Sequence, residues 1–421
     1  MQGNAPMNRP SLVPFDVALS KLLERARPVG RVLEVPTLEA AQRVLAQALV
    51  SPLSVPPWDN SQMDGYAVRS SEVAALQSDE QASLPVSQRI PAGSQGTPLV
   101  PGTAARIFTG AAIPSGADAV VMQEQALPVG SGDRLRFSHQ PQPGEWIRRE
   151  GEDIRQGATV LPAGTRLTPQ ATGLAASVGA ATLRVYGPVK VACFFTGDEL
   201  AMPGEPLAPG AIYNSNRFLL TALLRRLGCE VQDLGIVGDT LEATRAALRD
   251  AAADADLIVT CGGMSVGEED HVKPAVEAEG ELDMWQLAIK PGKPLAYGRV
   301  RTAGPAGFAH FVGLPGNPVS AFVTFLLLVR PFILSLQGVA QVAPVRLRLT
   351  AGFDWPRPDR RREFLRVAVN PQSGLLELFP NQGSAVLTST VAGDGLLDNP
   401  EGQAIRQGDV VTYLPFSDLL N

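Results

Sequence analysis

The sequence predicts a multidomain fold of α/β plus β type. A central, doubly wound α/β domain is accompanied by a β-rich inserted domain, a mixed N-terminal domain and a small C-terminal β-barrel. Three observations carry this reading. The chain has 421 residues, well beyond the roughly 150 typical of one domain. Its middle part alternates strand-like and helix-like apolar runs, the pattern of β-α-β units around a parallel sheet with helices on both faces. On either side, short apolar runs are punctuated by Gly and Pro, 41 and 36 residues of the chain, which is strand-and-turn writing.

The elements follow in order. Helical patterns cover 15–26 and 38–49, the second with Thr37 as N-cap, and Pro56-Pro57 bars a helix thereafter. From 63 to 147 come runs such as Leu84-Pro85-Val86 and Arg106-Ile107-Phe108, then a turn-rich stretch and a short helix over 169–179. From Val189 the alternation begins: a strand at 190–195, a helix at 217–227 capped by Ser215 or Asn216 and stopped by Gly228, a strand at 230–237, a helix at 241–253, a strand at 257–260 and a short helix at 274–279. Strands at 285–289 and 309–313 precede a helix starting at Pro318. The apolar run 319–336, interrupted by Arg330 and Pro331, is too short to span a bilayer and reads as a buried helix. After Pro344, strands at 345–350, 364–369, 375–379, 385–390 and 410–414 suggest the small barrel. The expected domains are 11–55 with 149–188 (mixed, discontinuous), 56–148 (β-rich insert), 189–338 (α/β) and 344–421 (barrel).

Composition excludes several classes. Lys plus Arg is 36 against 42 Asp plus Glu, a net charge of −6. A general affinity for nucleic acid or anionic membrane is therefore not expected. Cys193, Cys229 and Cys261 lie far apart in an odd number, and with His139, His271 and His310 they suggest neither a disulfide framework nor a zinc cluster. The first ten residues lack the apolar core of a signal peptide, so the expected location is the cytoplasm.

Ligands of open α/β sheets bind at the carboxyl ends of the strands, and three unusual loops fall there. After Leu257-Ile258-Val259 comes Thr260-Cys261-Gly262-Gly263-Met264-Ser265, where backbone N–H groups and the Ser265 hydroxyl can face a phosphate. Lys290-Pro291-Gly292-Lys293-Pro294 sets two cations on a rigid turn. Gly313-Leu314-Pro315-Gly316-Asn317-Pro318 ends a strand and starts a helix, with Asn317 as N-cap and Pro318 at the first helical position, a terminus suited to an anion. A tight structural turn explains any one loop; the coincidence of three favours a site. Carboxylates at the same strand ends, among them Asp198, Glu199, Asp239 and Glu268-Glu269-Asp270, suit a divalent metal beside phosphates. Asp59, Asp64 and Asp153 occupy turns of their own. Arg357, Arg360-Arg361-Arg362 and Arg366 are either a solvated basic run or part of an anion site at an interface.

A nucleophile elbow is the competing chemistry. Gly263-Met264-Ser265-Val266-Gly267 fits Gly-x-Ser-x-Gly, and Ser265, Asp283 and His310 follow the chain order of α/β-hydrolases. Against it, Cys261, Gly262 and Gly263 separate Ser265 from the strand end, and Asp283 precedes a strand.

Taken together, Asp59-Asn60-Ser61 with Met63-Asp64-Gly65-Tyr66, Thr109-Gly110, Arg148-Arg149 with Gly151-Glu152-Asp153, Thr196-Gly197-Asp198-Glu199-Leu200 and the three loops resemble the molybdopterin molybdenumtransferase family, the MoeA and gephyrin E-domain type, over the chain from about residue 11. The resemblance implies that the α/β domain binds molybdopterin. It also implies an enzyme that takes adenylylated molybdopterin and molybdate, inserts the metal into the dithiolene and releases AMP, with Mg2+ as cofactor. An elongated homodimer with its site between subunits is expected, and molybdopterin adenylyltransferase is a candidate partner. By the same resemblance Asp64, Thr109, Asp153, Glu199, Asp239 and Asp270 are the catalytic set, with Glu199, Asp239 and Asp270 at the metal. Gly262, Gly263, Ser265, Lys290, Lys293, Pro315, Asn317 and Pro318 would bind substrate, and Arg366 and Ser384 molybdate. Cys261, Met264, Phe195 and Asn214 depart from the family pattern. A relative that adenylylates molybdopterin, or a gephyrin-like scaffold, are the alternatives.

Overall fold

The computed structural model describes residues 12–76, 81–263, 270–302 and 307–420. The N-terminal helix α1 (Phe15–Arg25) buries Phe15, Ala18 and Leu22 at helical spacing. Strand β1 (Val32–Pro36) and β2 (Leu49–Val50) pair with chain that returns much later. Between them the expected helix over 38–49 is absent. Thr37 donates its hydroxyl to Ala180 O at 2.6 Å instead of capping a helix, Leu45 N and Ala46 N bond Thr165 O and Arg184 O, and Leu38 is 95% exposed. Pairing with distant backbone wins here over local helix propensity.

The next segment is a six-stranded sheet: β3 (Gly65–Val68), β4 (Leu84–Ile90), β5 (Ala104–Ile107), β6 (Ala119–Met122), β7 (Ala126–Val129) and β8 (Arg134–Phe137), in the order β6-β3-β5-β4-β8-β7. Antiparallel contacts join the chain on its way out and back: Val55 bridges Ile154 and Asn60–Ser61 pairs with Ile147–Arg148. Beyond them β9 (Thr159–Leu161) pairs with β2, α2 (Pro169–Ser177) follows with Thr168 as its N-cap, and β10 (Thr182–Tyr186) pairs with β1.

The α/β unit comprises β11 (Lys190–Thr196), α3 (Ser215–Arg226), β12 (Glu230–Val237), α4 (Leu241–Ala252), β13 (Leu257–Cys261), α5 (Val272–Glu279), β14 (Gly280–Gln286), β15 (Ile289–Lys290), β16 (Pro294–Arg301), β17 (Phe308–Leu314) and α6 (Pro318–Leu336). Strand order is β12-β11-β13-β17-β16-β14. Successive side chains of β11 enter two cores: Val191, Cys193 and Phe195 pack with α3 and α6, whereas Ala192 and Phe194 pack with α4 and α5. The period of two thus builds both layers. The sheet is not wholly parallel. β12, β11, β13 and β17 are, but β16 and β14 run antiparallel at one edge, and β16 reads in sequence only as the end of a proline loop. Helix α3 is capped by Asn214, whose Oδ1 accepts from Arg217 N at 3.1 Å, and not by Ser215 or Asn216.

Helix α6 runs through Arg330 and Pro331. Its turn at Phe325–Val329 is a π-helix, the widening that accommodates a proline lacking the N–H of the regular ladder. Its apolar window is 94% buried, so it is a core helix between sheet and barrel.

The C-terminal unit contains β18 (Leu347–Thr350), β19 (Arg362–Val369), β20 (Leu376–Leu378), α7 (Thr388–Ala392), β21 (Gly395–Asn399) and β22 (Val410–Pro415). The order β19-β21-β22-β18 is closed by β20 on β19 and a bridge from Ala351 to Leu376, giving the small barrel. The strand expected at 385–390 is a turn leading into α7, and β21 replaces it beside β19. Strand β15 of the α/β segment adds itself to this sheet, parallel to β19.

Candidate functional site

The carboxyl ends of β11, β12, β13 and β17 open into a cleft of about 1140 Å³. Glu199, Asp239, Gly262, Gly263, Asp270, Lys290, Lys293, Pro315, Asn317 and Ser384 all line it. Pro318 lies in an adjoining cavity of about 550 Å³ that shares Thr196, Glu199, Gly262, Gly316 and Asn317 with the first. Ser265 lies outside the described residues. Asp64, Thr109, Asp153 and Arg366 do not line either cavity.

Each loop is shaped by close packing. Gly262 has φ +99°, and a Cβ there would sit 2.4 Å from Thr196 O, so the backbone passes where no other residue fits. Asn216 Nδ2 ties two loops together, donating to Gly316 O at 2.7 Å and to Cys261 Sγ at 3.1 Å, and the Cys261 thiol donates to Pro315 O at 2.9 Å. At the start of α6, Asn317 occupies the N-cap position without a side-chain cap bond. One backbone donor of that first turn is already used: Val319 N bonds Ser384 O at 3.0 Å, so the C-terminal unit covers part of the terminus expected to be free.

The carboxylates differ in state. Burial raises Asp270 above the ordinary carboxylate range, and the nearby Asp239 charge adds to this, against the bond it accepts from Val272 N. Its Oδ2 is buried without a partner. Glu199 folds back on Gly197, where a Cβ would meet its Oε2 at 2.5 Å. Among the described residues no three His, Cys, Asp or Glu side chains converge as a metal cage. The donor set instead fits Mg2+ as it is commonly held, by one or two carboxylates with phosphate and water: the Asp239 charge acts on Asp270, whose Oδ2 has no partner.

Among the described residues four cations face the cleft, Lys273, Lys290, Lys293 and Arg361. The arginine run of the sequence is divided by the fold. Arg361 forks onto Asp359, with bonds of 3.0 and 2.9 Å, which holds that acid well below the usual range. Arg362 pairs with Asp398 and Asp16. Arg366 is fully buried, and burial lowers it to about 10. It donates to Ser389 Oγ at 3.1 Å, Phe364 O at 3.3 Å and Gly383 O at 3.2 Å, so it sits behind Ser384 and not on the cleft surface. Lys273 and Glu363 carry no role in the sequence, and Asn216 reads there only as a helix cap. Lys273 follows Asp270 by three residues, a usable signal; the other two are recognisable only through contacts distant in the chain.

Of the remaining residues, Asp64 and Thr109 lie on the β-rich unit, and Asp153 lies beside its exit, with its N–H on Val55 O at 3.0 Å. Asp64 accepts two bonds from Thr109, which lower it below the ordinary carboxylate range. Asp153 lines a separate cavity of about 640 Å³ with Arg149, Glu150, Glu152 and Arg155. The hydrolase reading fails on register: His310 stands opposite Leu257, at the start of the strand whose far end carries the glycine loop, about 13 Å away at the usual rise. Its Nδ1 meets Tyr297 Oη at 2.9 Å, and burial lowers it to about 4.

Comparisons with known proteins agree along the whole chain. Residues 13–179 match the MoeA N-terminal region (domain I and II), 192–335 a probable molybdopterin binding domain, and 348–416 the MoeA C-terminal region (domain IV). The molybdopterin molybdenumtransferase of Haemophilus influenzae is 39% identical over 416 residues, covering 97% of this chain and all of that one. Molybdopterin molybdenumtransferase 2 of Mycobacterium tuberculosis is 39% identical over 91% of this chain and 93% of its own. A crystal structure of the molybdopterin biosynthesis MoeA protein of Pyrococcus horikoshii superposes with a TM-score of 0.77 at 31% identity, covering 96% of this chain and 99% of that one. With the cleft, the loops and the domain order in place, the chain belongs to the molybdopterin molybdenumtransferase family, transferases of molybdenum cofactor biosynthesis.

Proposed function

We propose that the cleft binds adenylylated molybdopterin and molybdate, cleaves the pyrophosphate link to release AMP, and delivers molybdenum to the dithiolene. The observation that carries this is the meeting of four cations with Asp239 and Asp270 around glycine and proline loops at one sheet edge. Such an edge suits a pyrophosphate, with backbone donors and cations stabilising charge on the phosphoryl oxygens. Water consumed in the cleavage frees AMP, and the two dithiolene thiols displace one oxygen of molybdate, which leaves as water with the two thiol protons. Mg2+, held by Asp239 and Asp270 with Glu199 near, would polarise a phosphoryl oxygen when bound. Lys293 and Lys273 hold the phosphates, and the Gly262-Gly263 backbone and Asn317 orient them. We assign molybdate to Ser384 on the cleft wall, with the buried Arg366 guanidinium acting from behind it.

Asp64, Thr109 and Asp153 lie away from this cleft, so we assign them to the partner side of a homodimer in which one subunit's β-rich unit faces the other's cleft. A cytoplasmic enzyme supplied by a molybdopterin adenylyltransferase fits this chemistry. The test is incubation with adenylylated molybdopterin, molybdate and Mg2+, following AMP and active cofactor together. Coupled appearance of both is expected; AMP without cofactor reduces the protein to a hydrolase, and consumption of ATP in place of the adenylylated substrate makes it an adenylyltransferase.

A further inference from the structure

We infer that Glu363 is a positioning residue for the cleft: its carboxylate fixes the Lys290 ammonium, and through it the seam along which the C-terminal barrel meets the α/β sheet. The inference rests on the cleft being the anion site proposed above. Glu363 is completely buried, a costly place for a carboxylate unless it is paired and hydrogen-bonded. Both conditions are met. Its Oε2 accepts from Trp355 Nε1 at 2.8 Å, Asp359 N at 3.2 Å and Asn399 Nδ2 at 3.4 Å. These three donors fix the plane of the group and leave Oε1 to Lys290 Nζ at 3.2 Å.

The backbone enforces the same pairing. In the parallel ladder of β15 on β19, Lys290 stands opposite Glu363. The second acid near Lys290, Asp359, is 3.6 Å away and already engaged by the Arg361 fork. Two acids from the barrel therefore neutralise two cleft cations, Lys290 and Arg361. Among the described residues, neither Lys273 nor Lys293 has a carboxylate within ion-pair distance. The long-range attraction for an anion comes from that second pair. Lys290 contributes direction: a flexible lysine stem, otherwise free to sample many rotamers, is held at one point of the cleft wall.

This division of labour has a kinetic signature. An interaction that aims a group at the reacting atoms affects turnover, whereas uniform attraction affects apparent affinity. In Glu363→Gln the amide keeps the size of the side chain and an oxygen for Trp355, but turns an NH2 toward the ammonium. We expect kcat for AMP release to fall about 10-fold with KM changed less than about 3-fold, and Lys293→Ala to show the opposite split. In a Lys290→Met background, Glu363→Gln should cost no further activity. An unchanged kcat, a loss confined to KM, or full multiplication of the two losses would overturn the inference.

A readout independent of catalysis separates this failure from failure of the functional reading. Acetylation of the folded full-length chain by N-hydroxysuccinimidyl acetate, followed by digestion and mass spectrometry of the peptides carrying Lys290 and Lys293, should modify Lys290 more slowly than Lys293 in the unaltered protein and equally in Glu363→Gln. Equal rates in the unaltered protein would sink the proposal even if AMP release is observed. Absence of AMP release with the expected labelling would instead dismiss the substrate assignment alone. If Glu363→Gln shows no cooperative melt, Glu363→Asp, shorter by one methylene, is measured in its place: the same kinetic split and equalised labelling are expected, and their absence overturns the inference.

Discussion

Asp64 Oδ1 accepts both the backbone N–H and the hydroxyl of Thr109, each at 2.8 Å. The two donors favour the ionised carboxylate and lower its pKa, the backbone bond contributing most. Thr109→Val keeps the N–H and removes the hydroxyl, so the pKa of Asp64 should rise toward its ordinary value. If ionised Asp64 is required for turnover, the acid limb of the pH–kcat profile moves to higher pH in the variant. An acid limb that stays in place would dissociate Asp64 from the reaction.

Asp270 shows the opposite tendency. Burial and the Asp239 charge raise it, so its ionised form opposes folding: the favourable contribution is present below the unfolded pKa and lost as pH rises through the folded one. At pH 7, Asp270→Asn should leave Tm unchanged or higher while abolishing cofactor formation, the trade expected where function holds an unfavourable charge. Adding Mg2+ should raise Tm of the unaltered protein and not of the variant; a lower Tm for the variant without Mg2+ would mean that the Asp270 charge stabilises the fold.

Asn216 is predicted to act through the loops it joins. Asn216→Ala removes the bonds to Gly316 O and Cys261 Sγ, and should lower stability by about 1 kcal/mol in urea unfolding. KM for the adenylylated substrate should rise, since Gly316 and Gly262 line the cleft. Asn216→Ala with unaltered KM would show that the loops hold their shape without the tie.

The thiols should be inert. Burial pushes Cys193 up to about 11 and Cys229 and Cys261 up to about 12, and the thiolate is the reacting form. Native protein at pH 8 should release no thionitrobenzoate from Ellman's reagent over minutes, and three equivalents once unfolded in guanidinium. Fast reaction of one native thiol would place that cysteine at an opened surface.

The α/β layers are legible in the sequence because the central strands β11, β13 and β17 are buried on both faces and are therefore apolar at nearly every position. The three cleft loops are legible because glycine and proline are rare in such juxtaposition without a reason. What escapes is decided by partners far along the chain. Residues 38–49 have helical spacing, yet their backbone donors go to Thr165 and Arg184. The antiparallel edge made by β14 and β16 escapes because β16 follows directly on a proline loop and because strand direction is a property of the pair. Glu363 looks like one more charge after an arginine run; only the fold puts it beneath Lys290. Arg366 reads either as part of a solvated basic run or as part of an anion site, and nothing in its neighbourhood in sequence announces complete burial.

The bridge between Val55 and Ile154, with Val55 N on Ile154 O at 2.7 Å and Ile154 N on Val55 O at 3.1 Å, lets the chain depart and return through almost the same point. The intervening hundred or so residues are thus grafted on like a branch on a node. Replacing that branch with a tight turn would leave the trunk's strand pairs topologically intact. The protein can accordingly be severed into a core that keeps the cleft and a detachable arm that keeps Asp64 and Thr109, and mixing separately disabled versions of the two in one assembly asks directly whether arm and cleft belong to the same subunit.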